Sequence, residues 1–177
     1  MKNTLIILAI IFIFIILYFL QVNFFNWFNI SGIAPNLFVI LILFLGLFAG
    51  KRVGIPMGIF LGICLDFFTS KKIGISGIML GAIGAIGGIL DKNFSKDSRI
   101  TIILMTILAT AFFEIGSYIL NAIIVSINVE IIPFIKILSI EILYNVILTI
   151  ILYPLLQKAG YYIEESFRGS KILTRYF

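Results

Sequence analysis

The sequence predicts an all-α, polytopic membrane protein: a bundle of about six transmembrane helices in one domain over residues 1–177. Hydrophobic residues make up 62% of the chain and charged residues 12%, whereas about a quarter of the residues in soluble domains are charged. The mean hydropathy is +1.21, and apolar runs cover nearly the whole length. Such runs suit helices that cross a bilayer.

The first apolar segment, "LIILAIIFIFIILYFLQV", is predicted to be a transmembrane span over about residues 5–22. It follows a positively charged start, as the core of a signal peptide would. However, it is longer than the ~7–15 residues of such a core, and no small-residue cleavage pattern follows. We therefore expect a retained span. The loop after it carries Trp27 and several phenylalanines, which suit a membrane interface.

Five further spans follow, counted with about 20 residues as the length that crosses a bilayer. Pro35 is expected in the first turn of the second span, where its missing N–H costs little. "KRVG" and "TSKK" flank the third span, and a re-entrant hairpin over 54–90 is the alternative to two full spans. The predicted bounds are about 36–50, 54–68, 73–90, 100–126 and 134–157, with a short tail over 158–177.

The basic residues predict the orientation. With the N-terminus inside, only Lys71, Lys72 and Lys136 of the 13 Lys and Arg would be outside. Cytoplasmic loops are enriched in Lys and Arg, so both termini are expected in the cytoplasm. The net charge of +5 is then mainly a topology signal. The basic residues are dispersed and have no soluble platform, which argues against nucleic-acid binding.

The residues present argue against several kinds of chemistry. The chain contains no histidine, which is the commonest metal ligand and the usual proton shuttle. Its single cysteine, Cys64, lies in an apolar segment. Neither a GxxxxGK[ST] phosphate loop nor a GxGxxG fingerprint occurs. We therefore expect no enzyme, no catalytic residue, no metal site and no cofactor.

Glycines recur at helical spacing through the second, third and fourth spans. Eleven of the fifteen glycines in the chain lie between positions 46 and 88. In lipid, small residues bring helices together by allowing close backbone contact. Two interpretations stay open: tight packing of these spans against each other, and docking of a partner's transmembrane helix. The candidate residues are Gly46, Gly50, Gly58, Gly62, Gly77, Gly81, Gly84 and Gly88.

"KRVG" is interpreted as a cytoplasmic turn that interrupts this rhythm. Gly46 and Gly50 then belong to one helix, and Gly58 and Gly62 to the next. Because consecutive spans joined by a short turn run antiparallel, we expect the two pairs to face each other across a close-packed hairpin.

Acidic and polar residues within the spans form a second group of candidates. Asp66 ends the third span and is expected near the outer interface, as a helix cap or in a salt bridge. Intramembrane acids are costly and tend to face the protein interior. We therefore predict either a buried polar seam between the fifth and sixth spans, with Lys136 as its basic partner, or a small polar cavity open to the outside. The predicted members are Glu114, Tyr118, Asn121, Glu141 and Asn145.

The stretch "APNLFVILILFLGLFAGKRVGIPMGIFLGICLDFFTSKKIGISGIML", followed later by "EILYNVILTIILYPLL", resembles the rod shape-determining protein MreD family. The shared features are a proline opening the second span, a glycine-rich stretch that runs into an aspartate, a glycine soon after it, and a late asparagine followed by Tyr-Pro. In this chain they are Pro35, Gly54, Gly58, Gly62, Asp66, Gly74, Asn145, Tyr153 and Pro154. The resemblance covers most of the chain.

The resemblance implies a non-enzymatic component of the cell-wall elongation (rod) complex in the bacterial cytoplasmic membrane. The implied partners are the transmembrane helix of MreC and, indirectly, MreB, RodA and a class B penicillin-binding protein, together with membrane lipid. The MreD family is also similar to the six-helix S-components of energy-coupling-factor transporters. That similarity gives the alternative function, which is binding a vitamin or another small molecule for uptake.

Overall fold

The computed structural model describes residues 2–69, 73–90, 98–125 and 130–168. Within them the chain forms six main helices and no strand beyond one isolated bridge, which confirms the predicted all-α fold. Lys71 and Lys72, which were expected outside the membrane, lie outside the described residues. The helices are α1 (Lys2–Phe19), α2 (Leu37–Ala49), α3 (Lys51–Phe68), α4 (Ile75–Leu90), α5 (Arg99–Val125) and α6 (Ile131–Arg168), and α1 is extended by a π-helical segment (Leu20–Phe24) and a short turn (Phe25–Trp27).

The outer surface of the bundle is apolar. Arg99–Ile124 and Ile131–Ser166 are long and apolar enough to cross a bilayer, judged by length and composition, and three shorter helical stretches are apolar as well. Large side chains such as Phe12 on α1 and Leu108 on α5 are more than 60% exposed. Contiguous exposed apolar surface marks an interaction with membrane or protein, so this surface suits lipid.

α2 is the central helix. Twelve of its thirteen residues are buried, and it contacts all five other helices. A helix that is apolar all round belongs in a protein core or a membrane, and "LFVILILFLGLFA" can pack in every direction. On one side Phe14 of α1 packs on Phe38, with ring centroids 5.1 Å apart. At about 20 Å, α2 is shorter than the ~30 Å hydrocarbon core.

Polar side chains tie the start of α2 to its surroundings. Gln21 Oε1 accepts the backbone N–H of Leu37 at 3.2 Å, and Asn36 Oδ1 accepts that of Val39 at 3.4 Å. Asn36 is thus the N-cap residue, a position that favours asparagine. Pro35 lies before this cap, not in the first helical turn where it was expected, because Asn36 occupies the boundary.

A single residue joins α2 to α3. Gly50 has a φ of +81°, which glycine tolerates far better than other residues, so it turns the chain. The interpretation of "KRVG" as the turn is wrong, since these residues form the first turn of α3. The N–H of Gly54 donates to the Gly50 carbonyl at 2.9 Å, in the i to i−4 pattern of an α-helix.

α6 is longer than the predicted span over 134–157. It has 38 residues, about 57 Å, and contains Pro154. Its last part packs against α2, because Gly160 allows the ring of Phe48 to approach: a Cβ on Gly160 would lie 2.5 Å from Phe48 Cδ2. The Tyr161 ring also meets Phe48 edge-on at 5.5 Å. The segment expected as a tail therefore begins as a packed helix, and residues 169–177 lie outside the described ranges.

Most described cations lie at one end of the bundle and the acids within the apolar segments toward the other, while Glu164 and Glu165 near the end of α6 lie on the side of the cations. α3 begins and α4 ends at one end, where the Lys51 backbone lies against Gly88. α5 also begins there, since it runs antiparallel to α4 and places Gly116 next to Met79. We call it the basic end; its described cations are Lys51, Arg52, Arg99 and Lys158. Toward the opposite, acidic end lie Asp66, Glu114, Glu130 and Glu141, with Lys136 as the described cation.

Candidate functional site

The carboxylate of Asp66 caps the neighbouring helix. Asp66 lies in the last turn of α3 and is completely buried. Its Oδ2 accepts the backbone N–H of Gly74 at 2.8 Å and that of Ser76 at 3.0 Å. The first N–H groups of a helix lack intrahelical partners and carry partial positive charge, so a carboxylate satisfies the start of α4 well. Asp66 therefore lies inside the protein, where it links α3 to α4.

Buried hydrogen bonds join α2, α5 and α6. Asn145 is completely buried; its Oδ1 accepts the Asn36 N–H at 2.8 Å and its Nδ2 donates to Thr110 Oγ1 at 2.9 Å. One turn further along, the hydroxyls of Thr106 and Thr149 lie 3.3 Å apart. Polar groups within a bilayer must be satisfied inside the protein, so these contacts fix the register of the three helices.

Two adjoining polar cavities lie toward the acidic end. The larger has a volume of about 390 Å³ and includes Asp66, Glu114 and Glu130 in its wall. The other has about 330 Å³ and includes Glu114 and Glu141. Among the described residues that line the two cavities, none is basic. The arrangement can therefore hold a polar molecule, and its carboxyl groups would favour one with a basic group.

The remaining predicted polar residues are divided between the cavity wall and the surface. The ring of Tyr118 stacks on Phe134 of α6 with centroids 4.3 Å apart, and both line the larger cavity. Asn121 also lines it and donates to the Ser117 carbonyl at 2.8 Å. Lys136 is exposed on α6 and is absent from the described cavity linings. Its pairing with the acids of the seam stays a prediction.

α3 and α4 touch through their backbones. A Cβ added at Gly62 would lie 2.5 Å from the Ser76 carbonyl oxygen and 2.6 Å from the Gly77 Cα. One added at Gly54 would lie 2.8 Å from the Gly84 carbonyl oxygen. Real Cβ atoms essentially never come within 3.0 Å of such neighbours, so only glycine fits. Similar backbone approaches occur at Gly46, Gly58, Gly84 and Gly88.

The expected pairing of glycines across the α2–α3 hairpin is wrong for Gly58 and Gly62; the close pair there is Gly46 with Gly54, where a Cβ on Gly54 would lie 2.9 Å from the Gly46 Cα. Gly46 of α2 and Gly58 and Gly62 of α3 all face α4. Gly50 is the turn residue between α2 and α3. The reason is that α4 presents glycines on two sides, with Gly87 against α2. α4 can therefore nest between the two preceding helices.

A shallow apolar groove lies on the outer side of the same helix pair. Its volume is about 430 Å³. Ile59 and Ile63 of α3 form one wall, and each is 42% exposed. A Cβ added at Gly77 or Gly81 of α4 would first meet those isoleucine side chains, with the nearest backbone atoms at 3.3 and 3.7 Å. Because both residues lack a side chain, the α4 side of the groove is shallow. The lining residues are Ile55, Ile59, Ile63, Gly74, Gly77, Ile78, Gly81, Ala82 and Ala85.

Several polar residues at these sites were not among the predicted ones. Thr106 and Thr110 precede Glu114 by eight and four residues, so continuing the four-residue step toward the start of α5 would have found them. Ser76 and Asn36 act through backbone groups at helix starts, which helix periodicity does not reveal. Gln21 lies in a π-helical segment, for which the sequence gives no comparable signal.

Together, the fold and these sites define a helical-bundle membrane protein with a glycine-packed core, an apolar outer groove and an acidic polar cavity. A family model described as rod shape-determining protein MreD matches residues 1–160. The chain belongs to this family. Its role therefore lies in the determination of rod shape, as a component of the shape-determining machinery. Searches of curated proteins and of solved structures gave no match.

Proposed function

We propose that this protein is a non-enzymatic, multi-pass component of the bacterial cell-wall elongation complex. In this role it docks the single transmembrane helix of MreC and so links the wall synthases, RodA and a class B penicillin-binding protein, to the MreB filament. The observation that carries the proposal is the α3–α4 groove in a chain of the MreD family. A scaffold needs a surface for its partner, and the groove is such a surface.

The chemistry of the groove suits a transmembrane helix. Its lining is almost entirely aliphatic, and small residues on α4 let a second backbone come close. Close approach of this kind is what drives helix association in lipid, where apolar surface alone supplies no force. Gly77 and Gly81 are the predicted docking glycines that border the groove, whereas Gly58 and Gly62 are already occupied by α4.

The charge separation supports an orientation. The described cations Lys51, Arg52, Arg99 and Lys158 gather at the basic end, and cytoplasmic loops are enriched in Lys and Arg. On this basis we place the basic end and both termini in the cytoplasm, with the polar cavities toward the outside. We also place the protein in the bacterial inner membrane, because this is the membrane of the elongation complex in which we propose that it acts.

The docking proposal is tested by filling the groove without touching the inner glycines. In the double variant Ala82→Leu/Ala85→Leu, we expect co-purification of MreC from membranes to fall about tenfold, which corresponds to ~1.4 kcal/mol of association free energy. Ala82 and Ala85 are half-buried in the groove wall, so leucine there occupies the space of the partner. Membrane yield and gel-filtration profile report whether the variant is folded.

Ala111→Leu provides the matched control. Ala111 is half-buried on α5, outside the groove, and receives the same added volume. Retention of MreC should be unchanged in this variant. Equal retention of MreC by the wild type and the groove variant would rule out docking at this surface.

A second candidate function, binding a small molecule for uptake, is favoured by the larger cavity. Its volume of about 390 Å³ falls within the range of ligand pockets. Ser117 lies in the wall, and its Oγ is shielded from solvent with no hydrogen-bond partner among the described residues. A buried hydroxyl of this kind is costly unless something binds to it.

Mass spectrometry of the purified protein distinguishes the two functions. A stoichiometric vitamin-like ligand that is lost in Ser117→Ala and retained in the control Ser139→Ala would favour uptake. Ser139 is exposed on α6 and lies outside the cavity lining. If the cavity carries no small molecule while MreC co-purifies, the scaffold function stands and the uptake function is rejected.

A further inference from the structure

A crevice between α5 and α6 at the basic end is not used by either function above. It has a volume of about 290 Å³. At ~30 Å³ each, the volume of a water molecule in the liquid, it has room for roughly ten small groups. Ile102, Ile103, Ile150 and Ile151 form apolar walls, and Arg99 lies at the end where α5 begins. The crevice thus combines an aliphatic slot with one exposed cation.

The guanidinium of Arg99 is held in place at the crevice. Its Cζ lies 5.7 Å from the centroid of the Tyr153 ring, within the range of a cation–π contact. Tyr153 is itself buried, so its ring is held by the packing around it. A guanidinium that is fixed on an aromatic face loses less conformational entropy when it binds an anion, and its planar fork matches phosphate oxygens.

We propose that this crevice binds an anionic phospholipid, with the phosphate on Arg99 and the upper acyl chain between the isoleucines of α5 and α6. Charge complementarity selects this occupant. The mostly aliphatic walls fit an acyl chain better than a soluble anion, and the cation beside them fits a headgroup. The inner leaflet carries anionic lipid, and the basic end is the one that we place at that leaflet. The site rests on the membrane location of the chain and does not depend on MreC.

Native mass spectrometry tests this with the full chain in micelles that contain equal amounts of phosphatidylglycerol and phosphatidylcholine with the same acyl chains. The wild type should retain phosphatidylglycerol preferentially. Arg99→Gln should lower the retained phosphatidylglycerol about fivefold, the effect of one basic residue near an anionic surface. Arg99→Lys should keep only part of the preference, because the charge remains while the planar fork and its stacking on Tyr153 are lost. Ile103→Trp, which fills the slot and leaves the charge, should lower retention of both lipids.

Arg52→Gln is the matched control, because Arg52 is an exposed arginine at the same end that does not line the crevice. Its lipid retention should equal that of the wild type. The proposal fails if the wild type shows no preference for phosphatidylglycerol, or if Arg52→Gln and Arg99→Gln lose lipid equally, which would indicate diffuse surface charge. It also fails if inorganic phosphate alone raises the thermal stability of lipid-free wild type but not of Arg99→Gln, which would indicate a phosphate site.

Discussion

Adding one methyl group at Gly62 should destabilise the protein, whereas adding it at Gly77 should not. The two glycines face each other across the α3–α4 interface. At Gly62 the new Cβ would lie 2.5 Å from the Ser76 carbonyl oxygen, so the backbone must retreat by roughly 0.9 Å to reach ordinary van der Waals contact at 3.4 Å. At Gly77 the nearest atom is Cγ1 of the Ile63 side chain, at 2.9 Å, and the nearest backbone atom is 3.3 Å away.

The magnitudes follow from two opposing effects. Alanine is favoured over glycine inside a helix by about 0.8–1.0 kcal/mol, and this gain applies at both positions. Overpacking costs about 1–3 kcal/mol when the backbone has to shift and less when only a side chain has to shift, as for Ile63 Cγ1 at Gly77, even though isoleucine is stiff at χ1. The required backbone shift of roughly 0.9 Å places the overpacking cost at Gly62 in the upper half of that range, so the unfolding free energy of Gly62→Ala should be about 1–2 kcal/mol below that of the wild type. Gly77→Ala should lie between no change and a gain of about 1 kcal/mol.

Reversible unfolding in mixed micelles, with rising mole fraction of a denaturing detergent, measures the difference. Both variants carry the same added methyl group in the same interface, so effects of the detergent cancel. Gly62→Ala at wild-type stability or above would refute the backbone contact between α3 and α4. Equal losses in the two variants would refute the distinction between backbone and side-chain neighbours.

Three further predictions concern turns and buried polar groups. Gly50→Ala should cost about 1–3 kcal/mol in unfolding free energy, because its φ of +81° strains any other residue; wild-type stability would contradict this. Asp66→Ala should speed amide hydrogen exchange in the first turn of α4, with Ser76 as the reporter, and unchanged exchange there would exclude the capping role. Asn145→Leu should cost about 1–3 kcal/mol because two buried partners lose their bonds. Thr149→Val, with one contact at 3.3 Å, should cost only about 0.6 kcal/mol, and equal costs would show that the network is not centred on Asn145.

Much of the fold could be predicted because the bilayer leaves few choices. Hydropathy identified the helices, and their order is that of the structure. The boundaries that differ are set by individual side chains and backbone angles. Asn36 caps α2 in place of Pro35, and Gly50 alone makes a turn that was assigned to "KRVG". α6 continues because Gly160 lets it pack against α2, a contact between residues far apart in sequence.

For the sites, the sequence indicated which residues are candidates but not which residues they contact. Helical spacing grouped Glu114, Tyr118 and Asn121 correctly on one helix, and all three line the larger cavity. The same spacing could not show that Asp66 reaches the start of the next helix. The sequence also could not show which helix packs against the glycines of another helix. That depends on how the helices are arranged around α2 in three dimensions.

The position of α4 would allow internal packing and the proposed docking to share one glycine-rich helix. Glycines on its inner side bring the backbones of α2 and α3 so close that no partner can enter. Gly77 and Gly81 border the outer groove, where the nearest neighbours of an added Cβ are the side chains of Ile63 and Ile59. A partner helix that displaces those side chains gains contact with α4 and leaves the inner interface unchanged. Substitutions on the inner side should therefore change stability, and substitutions in the groove should change association, so the two effects can be measured separately.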